Sequence, residues 1–307
     1  VSSGETTWRD IPEVGTALGL RLGLLVCRVF GRRLTRAFVS VLALYFTLLS
    51  RNARDSSRAY LRRMGLPHGF WQVYAHLRYF AWTVADRVFL VQDRFDDFEL
   101  THEGHEHLQA LLAEGRGALL LGAHIGSFEV MRAQSGTRDI PINVVGDFGN
   151  AERINAVLER VNPKLNTRLI SMNGGPVKLA FQVKEAIDRG ELVALLGDRA
   201  SARDGVEVEF LGGRARVSAG PYLLASVLKC PIYLTVALHH APNRYELHCE
   251  PFALEVDLPR GKRDEAIRAY AQRYMDRLEH FCRLAPNNWF NFFPYWIEDE
   301  ADEADDR

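Results

Sequence analysis

Two short apolar runs constrain this chain more than anything else in it. Residues 118–121 read Ala-Leu-Leu-Leu between Gly117 and Gly122, and residues 192–196 read Leu-Val-Ala-Leu-Leu before Gly197. Neither run alternates apolar with polar, so neither suits a strand with one wet face. Each calls for burial on both faces, as in a largely parallel sheet with helices above and below. Both runs then deliver polar residues: His124 follows the first, Asp198 and Arg199 the second. In open α/β sheets the space just past the carboxyl ends of the strands is where ligands bind.

The expected fold class is α/β, a central mixed, mostly parallel sheet with helices on both faces, preceded by an N-terminal helical membrane-associating hairpin. Three segments are expected: a hydrophobic helical hairpin over 1–50, an α/β domain over 51–297 and an acidic tail over 298–307. In the hairpin, apolar segments 14–30 and 38–49 are divided by Gly31; the first carries Arg21 and Arg28, and Arg32, Arg33 and Arg36 precede the second. With Trp8 and Tyr45 these arginines suit an interface, where long basic side chains reach for the headgroups. The alternative is a soluble helical cap. No run reaches 18 apolar residues, and the opening residues read as carrying no cleavable leader. Further strands are expected near 98–100, 140–145, 168–170, 206–210, 231–238 and 245–250. Thr101 is expected to cap a helix from about His102 to Glu114, and further helices are expected over 147–161, 176–189, 221–228 and 264–283.

The formal net charge of −1 gives no field that would draw nucleic acid. Cys27, Cys230, Cys249 and Cys282 are far apart and in no metal-binding spacing, so they read as reduced thiols. His102, His105 and His107 cluster without a matching cysteine or carboxylate motif and read as a solvated helix face, so no metal is expected. No glycine-rich dinucleotide fingerprint or Walker loop is present, and no cofactor is expected.

The chemistry is expected at His124. Glu129 follows five residues later, in the first turn of an expected helix where the dipole favours a carboxylate. A carboxylate there could orient the imidazole and leave the second ring nitrogen as a base. Gly126 would let the backbone turn close to His124, and its amide is a candidate oxyanion donor. Ser127 is not in a Gly-x-Ser-x-Gly setting and does not read as a hydrolase nucleophile.

The segment Leu120-Leu121-Gly122-Ala123-His124-Ile125-Gly126-Ser127-Phe128-Glu129, with its His-x4-Glu pattern, resembles the glycerolipid acyltransferase superfamily. It looks like the branch of the bacterial lipid A secondary acyltransferases, closest to those of aryl-polyene pathways. The resemblance runs from about His102 to Trp296. It implies direct acyl transfer from a thioester of acyl carrier protein, or of coenzyme A, to a hydroxyl of a membrane lipid or lipid-like acceptor. It also implies peripheral or monotopic attachment at the cytoplasmic face of the bacterial inner membrane. Aligned by motif, the further polar positions fall on Arg168, a cation suited to phosphate or an oxyanion, and on Asp198, which could orient the donor or the acceptor; Arg199 beside it could contact phosphate, and Arg153 could do the same or simply be exposed. Arg168 reads equally well as an ion-pair partner of Asp198. The basic stretch 51–63 could receive an acidic carrier. The N-terminal span is shorter and less clean than in lipid A enzymes, which favours a relative acting on another lipid or on an aryl-polyene precursor. Two other readings fit the same residues: a non-catalytic lipid- or carrier-binding module, and a thioesterase.

Overall fold

The computed structural model describes residues 17–92, 94–127, 130, 142–146, 167–200 and 205–297. The sheet is the one that the apolar runs call for. Its strands are β1 (Glu99–Glu103), β2 (Ala118–Gly122), β3 (Ile142–Gly146), β4 (Thr167–Ser171), β5 (Leu192–Leu196), β8 (Ile232–His240) and β9 (Arg244–Ala253), in the order β1-β9-β8-β2-β5-β3-β4. Every described pairing is parallel except β8 with β9. The first apolar run is thus the central strand β2, flanked by β5 and β8, and all its residues are buried.

Side chains along β2 divide between two layers, as the period of two requires. Leu119 and Leu121 enter the main core with Val193, Leu195, Tyr274 and Trp289. Ala118 and Leu120 face the other way, with Leu108 and Leu111 of α4 (His105–Ala113). The main-core face is covered by α5 (Pro176–Asp188), α6 (Gly220–Leu228), α7 (Arg263–Leu284), α2 (Arg51–Arg63) and α3 (Phe70–Val91). At about 2 kcal/mol for each fully buried leucine, these two faces rather than any polar contact hold the sheet's middle.

Two expectations change, and the expected break at Gly31 is present. The helix expected from His102 begins only at His105, because His102 belongs to β1 and pairs with Leu247. Gly104 makes the turn between them with φ of 74°, and a Cβ there would lie 1.8 Å from the Cys249 carbonyl oxygen. The strand expected at 206–210 is β6 (Gly205–Phe210), which pairs with β7 (Gly213–Ser218) in a separate antiparallel hairpin. The described N-terminal residues form α1 (Ala17–Leu49), broken at Gly31, where φ is 68° and ψ is 178°. A 94° bend separates residues 31–49 from α2, and no single described helix is long and apolar enough to cross a membrane. Residues 1–16 and the acidic tail lie outside the described residues.

The arginines of α1 do not all face outward. Arg32 makes a two-pronged pair with Asp86 of α3 at 2.8 and 2.9 Å, and Arg36 approaches the same carboxylate at 3.4 Å. Asp86 is fully buried and also accepts from the Tyr245 hydroxyl at 3.1 Å. Such a charge is tolerable inside only because several donors surround it. Ser40 and Trp82 complete the seam at 2.8 Å. Cys230, Cys249 and Cys282 are buried and unpaired.

Candidate active site

Strands β2 and β5 run side by side, with Gly122 opposite Leu196. The residues just past their carboxyl ends therefore meet. His124 Nδ1 lies 2.8 Å from Asp198 Oδ1, and the His124 amide donates to Asp198 Oδ2 at 3.0 Å. Asn291 Nδ2 donates to the same Oδ2 at 2.9 Å. Asp198 is fully buried, whereas the His124 side chain is 28% exposed, so the ring is reachable from outside.

The segment 288–291 holds both residues from one side. Phe290 N–H donates to the His124 carbonyl at 2.7 Å, and Gly126 N–H donates to the Asn288 carbonyl at 2.8 Å. Asn288 is itself clamped to both backbone groups of His239, at 2.6 and 3.0 Å. On the other side Ser127 N–H donates to the Ala237 carbonyl of β8 at 2.9 Å. Tyr295 and Tyr274 donate to the carbonyls of Asp198 and Gly122 at 2.7 and 2.8 Å.

These surroundings set the charges. Burial alone would raise the Asp198 pKa, but His124, Arg199 and the Asn291 amide carry it well below the usual carboxylate range. Burial lowers the His124 pKa below 6.5; Asp198 opposes this, and the cations Arg199 and Arg87 reinforce it. At neutral pH the pair is a carboxylate and a neutral imidazole. With Nδ1–H donated to Asp198, the lone pair is on Nε2.

The expected residues fare differently. Asp198 is brought to His124 directly, as the ring's orienting carboxylate. Glu129 and Arg153 lie outside the described residues. Of Arg168 the structure describes the backbone. It sits in register with Asn143, which is opposite Val193, which is opposite Leu119. That row crosses the amino-terminal half of the sheet, and two strands separate the β4 backbone from β2. Arg199 is present but committed. Its Nε donates to Asn291 Oδ1 at 2.6 Å, its Nη2 to the Phe290 carbonyl at 3.2 Å, and its guanidinium covers the Phe293 ring at 5.1 Å. It braces the segment that holds Asp198.

Of the two roles expected of Gly126, the backbone turn is the one the geometry displays. Its amide is already used by Asn288 and is no oxyanion donor. Its φ is 59°, and a Cβ would fall 1.7 Å from the Ala237 carbonyl oxygen. Gly126→Ala is expected to cost at least about 3 kcal/mol of stability, read from urea unfolding, because a left-handed backbone and a clash combine.

Asn291, Tyr274 and Tyr295 were not singled out from sequence. The available signal was an asparagine inside the aromatic run 289–296, since a polar side chain buried there needs a partner. Among the described residues no cluster of histidine, cysteine and carboxylate groups could hold a metal.

A neutral imidazole hydrogen-bonded to an ionised carboxylate, at the rim of a mostly parallel sheet, is an arrangement able to act as a general base. A family model, that of the bacterial lipid A biosynthesis acyltransferases, matches residues 76–298, and the chain belongs to that family. It is similar to the phosphatidylinositol mannoside acyltransferase of Mycolicibacterium smegmatis (strain ATCC 700084 / mc(2)155), 24% identical over 198 residues that make up 64% of this chain and 62% of that protein. The protein of the same description from Mycobacterium tuberculosis (strain ATCC 25618 / H37Rv) is 26% identical over 196 residues, 64% of this chain and 60% of that one. The chain thus spans about three-fifths of the length of these relatives.

Proposed function

We propose that the protein transfers an acyl chain from a thioester, of acyl carrier protein or of coenzyme A, to a hydroxyl of a membrane lipid or lipid-like acceptor. The observation that carries this reading is the His124–Asp198 pair, neutral imidazole on buried carboxylate. His124 Nε2 takes the acceptor's hydroxyl proton as the oxygen attacks the thioester carbonyl carbon. The C–S bond breaks, and the departing thiolate takes the proton back from the imidazolium. No covalent acyl-enzyme is needed. Asp198 keeps the ring in the tautomer with Nε2 free to accept. Glu129 remains a candidate for orienting the same ring and Arg153 a candidate phosphate contact, and an aryl-polyene precursor is the finer alternative to a membrane-lipid acceptor.

The test is a mixture of purified protein, acyl carrier thioester and extracted membrane lipid. Wild type is expected to form acyl-lipid, and His124→Ala to form none while still binding the carrier. Equal product from both would remove the assignment. Free fatty acid formed at the same rate without acceptor would make the protein a thioesterase.

The same reading places the protein on the cytoplasmic face of the bacterial inner membrane, and α1 supports a lipid contact. A surface helix of a soluble protein turns its apolar side inward. Residues 31–49 turn Ala43 and Phe46 inward but present a second apolar stripe outward. Thr35, Ala43 and Thr47 are buried, whereas Leu34, Phe38, Val41, Tyr45, Leu48 and Leu49 are each more than half exposed. Trp71 on α3 is 68% exposed. A contiguous apolar face of this kind marks an interaction surface; α2, which follows it, exposes Arg62 together with Arg51 and Arg58, the latter two paired with Asp55 at 3.5 and 3.4 Å, and such cations suit anionic headgroups. Arg54 and Arg63 do not join them. Arg54 donates to the Thr47 and Leu48 carbonyls, and Arg63 covers the Trp296 ring. Replacing Phe38 and Val41 together by aspartate is expected to reduce sedimentation with anionic vesicles at least about tenfold, since each charge would have to enter the acyl boundary. Unchanged sedimentation would remove the α1 face from the proposal.

A further inference from the structure

His76 of α3 is fully buried and takes no part in the chemistry above. Its Nε2 lies 2.7 Å from the Trp289 carbonyl oxygen, and its Nδ1 lies 2.9 Å from the Ser57 hydroxyl of α2. A carbonyl only accepts, so Nε2 carries the proton and Nδ1 accepts from Ser57. Tyr60 and Phe292 pack on the ring with centroids at 5.2 and 5.0 Å. An aliphatic side chain could fill such a space without needing polar partners. The chain instead buries an imidazole and satisfies it on both sides.

What the ring grips is the informative part. Trp289 sits between Asn288, whose carbonyl takes the Gly126 amide, and Phe290, whose amide holds the His124 carbonyl. One residue further on, Asn291 bonds both Asp198 and Arg199. A short path therefore runs from α2 through Ser57, His76 and the 289–291 backbone to both halves of the His124–Asp198 pair.

We propose that His76, backed by Ser57, is a positioning residue for the transfer reaction, pinning the Trp289 carbonyl and thereby the register of residues 290–291 against His124 and Asp198. The proposal rests on the reading of His124 as the base. His76 touches no substrate, so its loss acts on turnover through misalignment and not on donor binding. Small displacements of a base are costly to rate.

The experiment compares wild type with His76→Leu, His76→Gln, Ser57→Ala and His124→Ala. Two readouts are taken per folded molecule: kcat and KM for the acyl thioester, and the downfield proton resonance of His124 Nδ1–H, assigned by its absence from His124→Ala. His76→Leu is expected to lose about tenfold or more in kcat at unchanged KM and to shift or broaden that resonance. His76→Gln, whose amide nitrogen reaches the place of Nε2, is expected to restore most of both. Ser57→Ala is expected to fall between them. If His76→Leu only lowers the amount of folded protein, with kcat per folded molecule and the resonance unchanged, the positioning role is wrong. If His76→Leu does not fold, Ser57→Ala decides, and a wild-type resonance and kcat there overturn the proposal. Wild-type turnover by His124→Ala would instead sink the base assignment, and the resonance, which needs no turnover, would still judge His76.

Discussion

Asp198→Asn is expected to lower kcat about 10²–10⁴-fold, while the protein remains folded. The wild-type carboxylate faces three donors: the His124 amide, His124 Nδ1–H and Asn291 Nδ2. An asparagine brings two N–H donors of its own into that ring of donors, so at least one contact becomes donor against donor. The cheapest relief is to turn the imidazole or change its tautomer, and either removes the lone pair from its place. The pH profile should move as well. Asp198 raises the His124 pKa against the effect of burial. Without its charge the acid limb of kcat/KM should shift to lower pH, as the lost rate is not a lost base but a misdirected one. Glu129→Gln, assayed beside it, separates the two carboxylates. A larger loss from Glu129→Gln than from Asp198→Asn would transfer the orienting role.

Unfolding at mildly acid pH is the second large effect expected. Burial takes the His76 pKa down from 6.5 to about 4, with the Trp289 carbonyl opposing. Burial, helped by Arg36, Arg32 and His240, takes His239 to about 3. Both values lie below the unfolded one, so between pH 6.5 and the folded values the unfolded chain binds protons that the folded chain refuses. Stability therefore falls as pH falls through that window. At pH 4.5 the loss relative to pH 7 should be roughly 2 kcal/mol per histidine, from about 1.4 kcal/mol per pH unit. Urea midpoints at the two pH values measure it. His124, also held below 6.5, adds to the loss, so His76→Gln should remove roughly 2 kcal/mol of the difference, and an unchanged difference would show that His76 is not the proton acceptor concerned.

Much of this architecture was legible in the chain because burial writes a plain signal. A run such as residues 118–121, apolar at every position, has few homes other than the middle of a covered sheet, and β2 is there. The polar residues behind Gly122 and Gly197 marked the site for the same reason. Their partnership was not legible. His124 and Asp198 are 74 positions apart, and local spacing favoured Glu129, which is near in sequence. Adjacency of β2 and β5 is a fact of sheet order, which no single strand encodes. The fate of Arg32 and Arg36 was hidden likewise. An arginine in an apolar helix reads as a headgroup contact until a buried Asp86 on another helix is known. The Gly126 amide looked available because its acceptor, Asn288, comes from the far end of the chain.

The knot at Asp86 has a mechanical consequence. Lifting residues 31–49 off the body would strand a carboxylate in an apolar interior, at a cost on the order of 3–5 kcal/mol. The arm is therefore a spar bolted to the hull, not a mooring line. Any surface that grips its outer side therefore holds α3, and the Asp86 it carries, with it.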